Sequence, residues 1–173
     1  MELLREIHDS DFNPSALRVD RNEFFVRRSA RAVVMDPHGR IAILWVRMFR
    51  NHKLPGGGVD SGEDIQQALV RELREEIGCQ VEIKAEVGKI VEQRNEQQLL
   101  QTSYCYLVRQ VGEIHPPTFT EKEQQQGLEI QWVPTIEAAI RLFEADDVSD
   151  YTSQYVNLRD ITFLQAAKSL LTV

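Results

Sequence analysis

The stretch "LPGGGVDSGEDIQQALVRELREEIGC", residues 54–79, crowds Asp60, Glu63, Asp64, Glu72, Glu75 and Glu76 around two arginines, Arg71 and Arg74, a local charge of −4 from six acids and two bases. Wound as a helix, in which each residue turns about 100°, residues 64–77 bring Glu72, Glu75 and Glu76 into one arc, because spacings of three and four return to the same face. Like charges so placed destabilise the helix and shift one another's protonation unless something neutralises them. A divalent cation would do so. Oxygen-only ligands suit hard ions such as Mg²⁺ or Mn²⁺, and the lack of suitably spaced histidine and cysteine argues against zinc. The glycines ahead of the helix let the backbone turn sharply and approach closely, so a carbonyl there could join a metal shell. A plainer reading stands beside this one, in which the glutamates form a solvated helix face paired with Arg71 and Arg74.

These residues need a platform. Leu69, Val70, Leu73 and Ile77 make an apolar stripe beside the acidic arc that can pack on a sheet. Gly78 fits the left-handed position after the last helical residue, and Asp64 suits the first turn. Upstream, "FFVRRSARAVVMDPHGRIAILWVR" reads as two strands around a turn at Asp36-Pro37-His38-Gly39, a β-hairpin. Downstream, "CQVEIKAEVGKIVEQR" and "LLQTSYCYLVRQVGEI" alternate like strands. "HPPTFTEKEQQQG" reads as a polar loop, "LEIQWVP" as a last strand, and "TIEAAIRLFEADD" as a helix capped by Thr135. A terminal helix spans about 153–171, and residues 1–23 form an irregular lead-in.

The stretch resembles the Nudix box, G-x5-E-x7-R-E-U-x-E-E-x-G-U with U apolar: Gly57, Glu63, Arg71, Glu72, Leu73, Glu75, Glu76, Gly78 and Cys79 fill its positions in order. Cys79 is the least typical of these fillings. The flanking hairpin, the later strands and the helix after "WVP" resemble the family layout over most of the chain. The resemblance implies an α/β fold, a Nudix-like α/β/α sandwich with a mixed β-sheet and the box helix packed on it. It further implies a single domain over 1–173, with a core at about 24–145. Its implied activity is hydrolysis of a nucleoside diphosphate linked to another group, by water activated at divalent metals, Mg²⁺ or Mn²⁺. On that likeness Glu75 and Glu76 are the principal metal ligands, Glu72 is a further ligand or the group that takes water's proton, and the Gly56 carbonyl is the backbone ligand. Glu63 and Arg71 are implied to pair and fasten loop to helix, with an approach of Glu63 to metal left open.

Outside the box, relatives often recruit an acid from a downstream loop, for which Glu121 and Glu123 are the candidates; a solvent-exposed loop is the alternative. Arg31 places a charge inside an apolar strand, where it must contact substrate phosphate or pair with a core acid. Arg47, Arg50, His52 and Lys53 precede the glycines and could steer an anion, or form an ordinary basic surface. Trp45 and Tyr104 could stack on a base, although aromatic residues in strands more often serve the core.

Composition narrows the class. The 173 residues are 42% hydrophobic and 27% charged, with a net charge of −7, which fits a globular chain and disfavours long nucleic acids bound by bulk electrostatics. "MELLREIHDS" has no apolar h-region and no run approaches a membrane span, so no membrane association is expected. Cys79 and Cys105 lack metal or disulfide spacing, which suggests free thiols in a reducing cytoplasm.

The expected partner is a nucleotide-type small molecule; kinship with homodimeric relatives leaves pairing open. A nucleoside triphosphate or modified nucleotide, cleaved in pool sanitising, is the leading substrate. ADP-sugars and dinucleoside polyphosphates stand behind it, since "EQRNE", Glu92–Glu96, lacks the proline or tyrosine that marks some groups acting on them. A non-catalytic nucleotide-sensing module is the alternative of another class.

Overall fold

In the computed structural model the described residues are 1–16, 19–20 and 23–171; Leu17, Arg18, Arg21 and Asn22 of the lead-in and the last two residues of the chain lie outside them. The strands are β1 (Leu3–His8), β2 (Phe25–Met35), β3 (Ile41–Val46), β4 (Asn51–Lys53), β5 (Gln80–Arg94), β6 (Leu99–Val111) and β7 (Leu128–Val133). The helices are α1 (Ile65–Glu76), α2 (Glu121–Gln126), α3 (Ile136–Glu144) and α4 (Tyr151–Leu171). One mixed sheet runs β1-β5-β6-β2-β3-β4, with β7 on the other edge of β3. β2 lies parallel to β6 from Phe25↔Leu99 to Met35↔Arg109, and β5 is antiparallel to β6.

Strand alternation assigns the two faces. Ala30, Ala32, Val34 and Leu44 point to one side and pack on Ala68, Leu69 and Leu73 of α1 and on Ile77 at its C-terminal cap. Val33, Ile41, Ile43 and Ile90 point to the other, against Phe143 of α3 and Tyr155, Phe163 and Leu164 of α4. The result is the expected α/β/α sandwich around a mixed sheet. No helix among the described residues is long and apolar enough to cross a membrane.

Three expectations need correction, and one strand falls where the sequence reading assigned no element. The lead-in contains β1, an edge strand parallel to β5; only Ile7 in it is fully buried, so it shows no alternating pattern. The residues before the glycines form β4 on β3. The segment read as a polar loop includes α2, started by a Thr120–Glu123 capping box and ended by Gly127 in the left-handed region. In the stripe on α1, Val70 is 37% exposed and Ala68 takes the buried place.

Candidate functional site

The site begins where β2 parts from β3. Only Val34↔Ala42 and Met35↔Ile41 pair in that hairpin, so the earlier part of β2 has a free edge, and the glycine loop lies along it. Ala32 N–H donates to the Pro55 carbonyl at 3.0 Å, Ala30 N–H to the Gly57 carbonyl at 3.0 Å, and Val59 N–H to the Arg28 carbonyl at 3.1 Å. Two glycines are required by contact. Gly56 has φ +122°, and a Cβ there would stand 2.2 Å from the Ala30 carbonyl oxygen; a Cβ on Gly57 would stand 2.3 Å from a carboxylate oxygen of Glu72.

α1 then delivers its acids. Asp64 caps it, accepting from Gln67 N–H at 2.8 Å, and Gly78 at φ +72° ends it. A Cβ on Gly78 would strike the His115 carbonyl, which belongs to a segment tied to the helix end: His115 N–H donates to the Gly78 carbonyl at 2.8 Å and Thr118 N–H to the Glu75 carbonyl at 2.7 Å.

Arg71 organises the near side. Its Nε donates to Glu63 Oε1 at 2.8 Å and its Nη2 to Glu63 Oε2 and the Gly58 carbonyl, each at 3.0 Å. Its Nη1 donates to Glu72 Oε1 at 2.9 Å and lies 3.4 Å from Glu75 Oε2. The hydrogen bonds from Arg71 hold the Glu63 carboxyl below its ordinary pKa. Glu72 moves the other way: burial first and the Glu76 carboxylate second push it up, against the pull of Arg71.

Glu76 is 1% exposed and held on both oxygens, by Lys53 Nζ at 2.9 Å and Gly56 N–H at 2.5 Å. Buried Arg31 donates from Nη1 to the Gly56 carbonyl, while its Nε has no partner. Burial brings the Arg31 pKa down to about 10, with Arg159 adding to that and Asp160 and Glu76 opposing it. The acids of α1 are therefore neutralised within the protein by Arg71 and Lys53, and Arg31 covers the glycine carbonyl. As placed, no three Asp, Glu, His or Cys side chains among the described residues converge into a metal cage. The donor set nevertheless has the chemistry of a hard-ion site: three carboxylates and a backbone carbonyl, all oxygen.

Gly56, Glu63, Arg71, Glu72, Glu75, Glu76, Lys53 and Arg31 thus come together. Arg47 does not: its exposed side chain pairs with Glu129 of β7. His52 is not a surface cation either, since it is buried and its Nδ1 lies 2.7 Å from Asp146 Oδ1. Glu123 spends its carboxylate on the α2 cap, accepting from Thr120 N–H and Oγ1 at 2.9 Å each, and Glu121 is exposed in the same first turn.

The sequence reading missed a buried ionic layer behind the loop. Leu54 N–H donates to Asp160 Oδ2 at 2.8 Å, Arg159 Nε to Asp160 Oδ1 at 2.7 Å, and Arg94 Nη2 to Glu92 Oε1 at 2.6 Å. Arg159 Nη1 reaches Glu92 Oε2 at 3.6 Å, linking the two pairs. Period-two counting from inward Ile90 places Glu92 and Arg94 on the same face, a signal the sequence did contain.

A sequence model describing the NUDIX domain matches residues 26–154. The chain belongs to the Nudix family, whose hydrolases generally use divalent metal ions. Among curated relatives, an RNA pyrophosphohydrolase of Shewanella loihica is 48% identical over 58 residues, 32% of each chain; the chain thus spans about a third of the length of the curated relatives it matches. Among solved structures, a NUDIX hydrolase from Nitrosomonas europaea is similar at TM-score 0.61 and 15% identity, covering 84% of this chain and 90% of that one. The C. elegans Ap4A hydrolase is similar at TM-score 0.58 and 16% identity, covering 85% and 99%. At these identities the structural likeness shows the fold.

Proposed function

We propose that this chain is a metal-dependent pyrophosphohydrolase that cleaves the diphosphate linkage of a nucleoside diphosphate derivative, with a nucleoside triphosphate or modified nucleotide as the leading substrate. One observation carries the reading: the Arg71–Glu63 clamp fixes the loop against α1 so that Glu72, Glu75, Glu76 and the Gly56 carbonyl share one end of the site. These four groups would hold Mg²⁺ or Mn²⁺. A divalent ion there supplies positive charge to phosphate oxygens and acidifies water.

The remaining work falls to the chain. Glu72, bonded by Arg71 Nη1 and packed against Gly57, is a further ligand of that ion or the group to take a proton from the attacking water. Lys53 and Arg31, which bond Glu76 and the Gly56 carbonyl in this structure, are the cations placed to bind phosphate oxygens and would be available to them were those acceptors to hold a divalent ion. Glu63 and Arg71 position the loop without touching the substrate.

The likeness to an RNA pyrophosphohydrolase extends over 58 residues only, and a net charge of −7 does not favour a long polyanion. A small nucleotide suits the chain better than an RNA end. The test is a panel of nucleoside triphosphates, oxidised nucleotides, ADP-sugars and dinucleoside polyphosphates, assayed with Mg²⁺, Mn²⁺ or EDTA, with products identified. Metal-dependent release of nucleoside monophosphate and pyrophosphate is expected. Saturable nucleotide binding with no metal-dependent product would instead establish the sensing module.

A further inference from the structure

The face of β2 turned toward α4 carries Arg27, Ser29, Arg31 and Val33 in order, because β2 keeps an unbroken register with β6 and alternate residues share a face. Arg27 stands opposite Gln101 of β6, and Gln101 opposite Glu92 of β5. That row brings Arg27 up to the buried ionic layer of Glu92, Arg94, Arg159 and Asp160. Its guanidinium also lies on the glycine loop: a Cβ on Gly58 would stand 3.0 Å from Arg27 Nη2, just as a Cβ on Gly57 would meet Glu72. Arg27 is thus one loop residue away from the box acids, and it is exposed to solvent.

Four guanidiniums meet here, and only two of them have carboxylate partners. Arg94 pairs with Glu92, and Arg159 with Asp160 and Glu92. Arg27 and Arg31 pair with no carboxylate among the described residues. Arg27 donates from Nη1 to Gln101 Oε1 at 3.3 Å, and Arg31 from Nη1 to the Gly56 carbonyl. Arg31 is 8% exposed, and its Nε has no partner, a costly state for a buried cation. Loss of water around its guanidinium first, and the charges of Arg94 and Arg159 second, hold the Arg27 pKa below its ordinary value, against the pull of Glu72 and Glu92.

The layer therefore carries two more positive than negative charges. Across the loop the four box glutamates, Glu63, Glu72, Glu75 and Glu76, exceed Arg71 and Lys53 by two negative charges, which a divalent ion would cancel. With those acids so neutralised, the excess at Arg27 and Arg31 calls for an anion of its own. A phosphate group, at about −1.5 to −2 near neutral pH and with three acceptor oxygens, matches it in charge and in bonding.

We propose that Arg27 and Arg31 form a subsite for a phosphate group that lies beyond the linkage being cleaved, so that the enzyme selects nucleoside triphosphates, which carry that group, over nucleoside diphosphates and ADP-sugars, which do not. The inference rests on the hydrolase reading and separates its leading substrate class from the ADP-sugar alternative.

Matched substrates test it: each nucleoside triphosphate against its own diphosphate, and ATP against ADP-ribose, at fixed Mg²⁺. The wild type is expected to favour the triphosphate in kcat/KM by about tenfold or more. Arg27→Gln is expected to lower that ratio about tenfold, with Arg27→Lys, which keeps the charge and loses the fork, in between. Arg27 is exposed, so both variants are expected to fold. A binding measurement needs no turnover: inorganic phosphate titrated in the presence of Mg²⁺ is expected to shift the Arg27 and Arg31 Nε–H signals in NMR to saturation. Arg27→Gln should weaken the binding that Arg31 reports by about tenfold. Phosphate binding at both arginines with no hydrolysis of any nucleotide would keep the anion subsite and overturn the hydrolase reading. Hydrolysis at equal kcat/KM for triphosphate and diphosphate, a ratio unchanged in Arg27→Gln, or an Arg31 signal that reports the same phosphate affinity in parent and variant would overturn the subsite and leave the hydrolase reading standing.

Discussion

Arg71 meets Glu63 in a two-point grip, Nε to Oε1 at 2.8 Å and Nη2 to Oε2 at 3.0 Å, across the span between glycine loop and helix. Arg71 also holds the Gly58 carbonyl and Glu72, so one guanidinium fixes the distance from loop to acids. A lysine carries the charge and lacks the fork. Arg71→Lys is therefore expected to lower kcat/KM about 10- to 100-fold and to raise the metal concentration needed for half-maximal rate. Steady-state assays across a Mg²⁺ titration check this; wild-type metal dependence in the lysine variant would remove the clamp from the argument.

Gly56 and Gly57 separate stability from chemistry. An alanine Cβ at Gly56 meets the backbone oxygen of Ala30 and must adopt φ +122°, a Gly-type conformation that costs about 1–3 kcal/mol for other residues before the clash is added. At Gly57 the Cβ meets the far end of the Glu72 side chain, which can swing away. Gly56→Ala is expected to lower the midpoint of thermal unfolding by several degrees. Gly57→Ala is expected to keep its midpoint and lose most activity. Scanning calorimetry and initial rates on the two proteins read both effects.

The contrast between what was and was not legible follows from distance along the chain. α1 announces itself between Asp64 and Gly78, because the cap, the apolar stripe and the terminating glycine all act locally. The β2–β3 turn does the same. Lys53 with Glu76 and Arg31 with Gly56 are pairs formed 23 and 25 residues apart, and no local pattern specifies which cation meets which acceptor. β1 stayed hidden because an edge strand with one fully buried residue leaves no periodic trace. α2, six residues long, is too short for periodicity, although its Thr120-x-x-Glu123 start and Gly127 stop were readable as caps.

Glu75 and Glu76 sit side by side and differ in what supports them. Glu76 is buried against Lys53 and Gly56 N–H, whereas the Glu75 side chain is 38% exposed. Glu76→Gln keeps an oxygen acceptor and removes the charge facing Lys53, a loss of about 1–3 kcal/mol. Glu75→Gln is expected to stay within about 0.5 kcal/mol of the parent. Both are expected to cut kcat about 100-fold or more. Urea unfolding paired with kcat measurements distinguishes them, and near-normal turnover in both variants would sink the metal-ligand assignment.

Behind the loop, Glu92 is fully buried between Arg94 Nη2 at 2.6 Å, Gln101 Nε2 at 2.8 Å and Ser103 Oγ at 3.1 Å, with Arg159 Nη1 at 3.6 Å. Burial alone would raise its pKa, but Arg159 and Arg94 outweigh it and hold the carboxyl below its ordinary value. A depressed folded-state pKa means that the unfolded chain takes up the proton first as pH falls. The stabilisation is therefore complete above the unfolded value of about 4.3 and drains away as pH drops from there through the folded value. Glu92→Gln leaves two buried guanidinium groups without their shared anion, which is expected to cost about 3–5 kcal/mol at neutral pH. The loss should shrink as pH falls below the unfolded value, because the parent then loses the same charge. Urea unfolding of parent and variant across pH 3–7, about the range in which carboxyls titrate, measures it; a difference between the two proteins that stayed constant across that range would show that Glu92 is not held ionised by Arg94 and Arg159. Since Arg159 also pairs with Asp160, whose Oδ2 accepts Leu54 N–H, the same substitution should loosen the start of the glycine loop, read as faster amide exchange at Leu54.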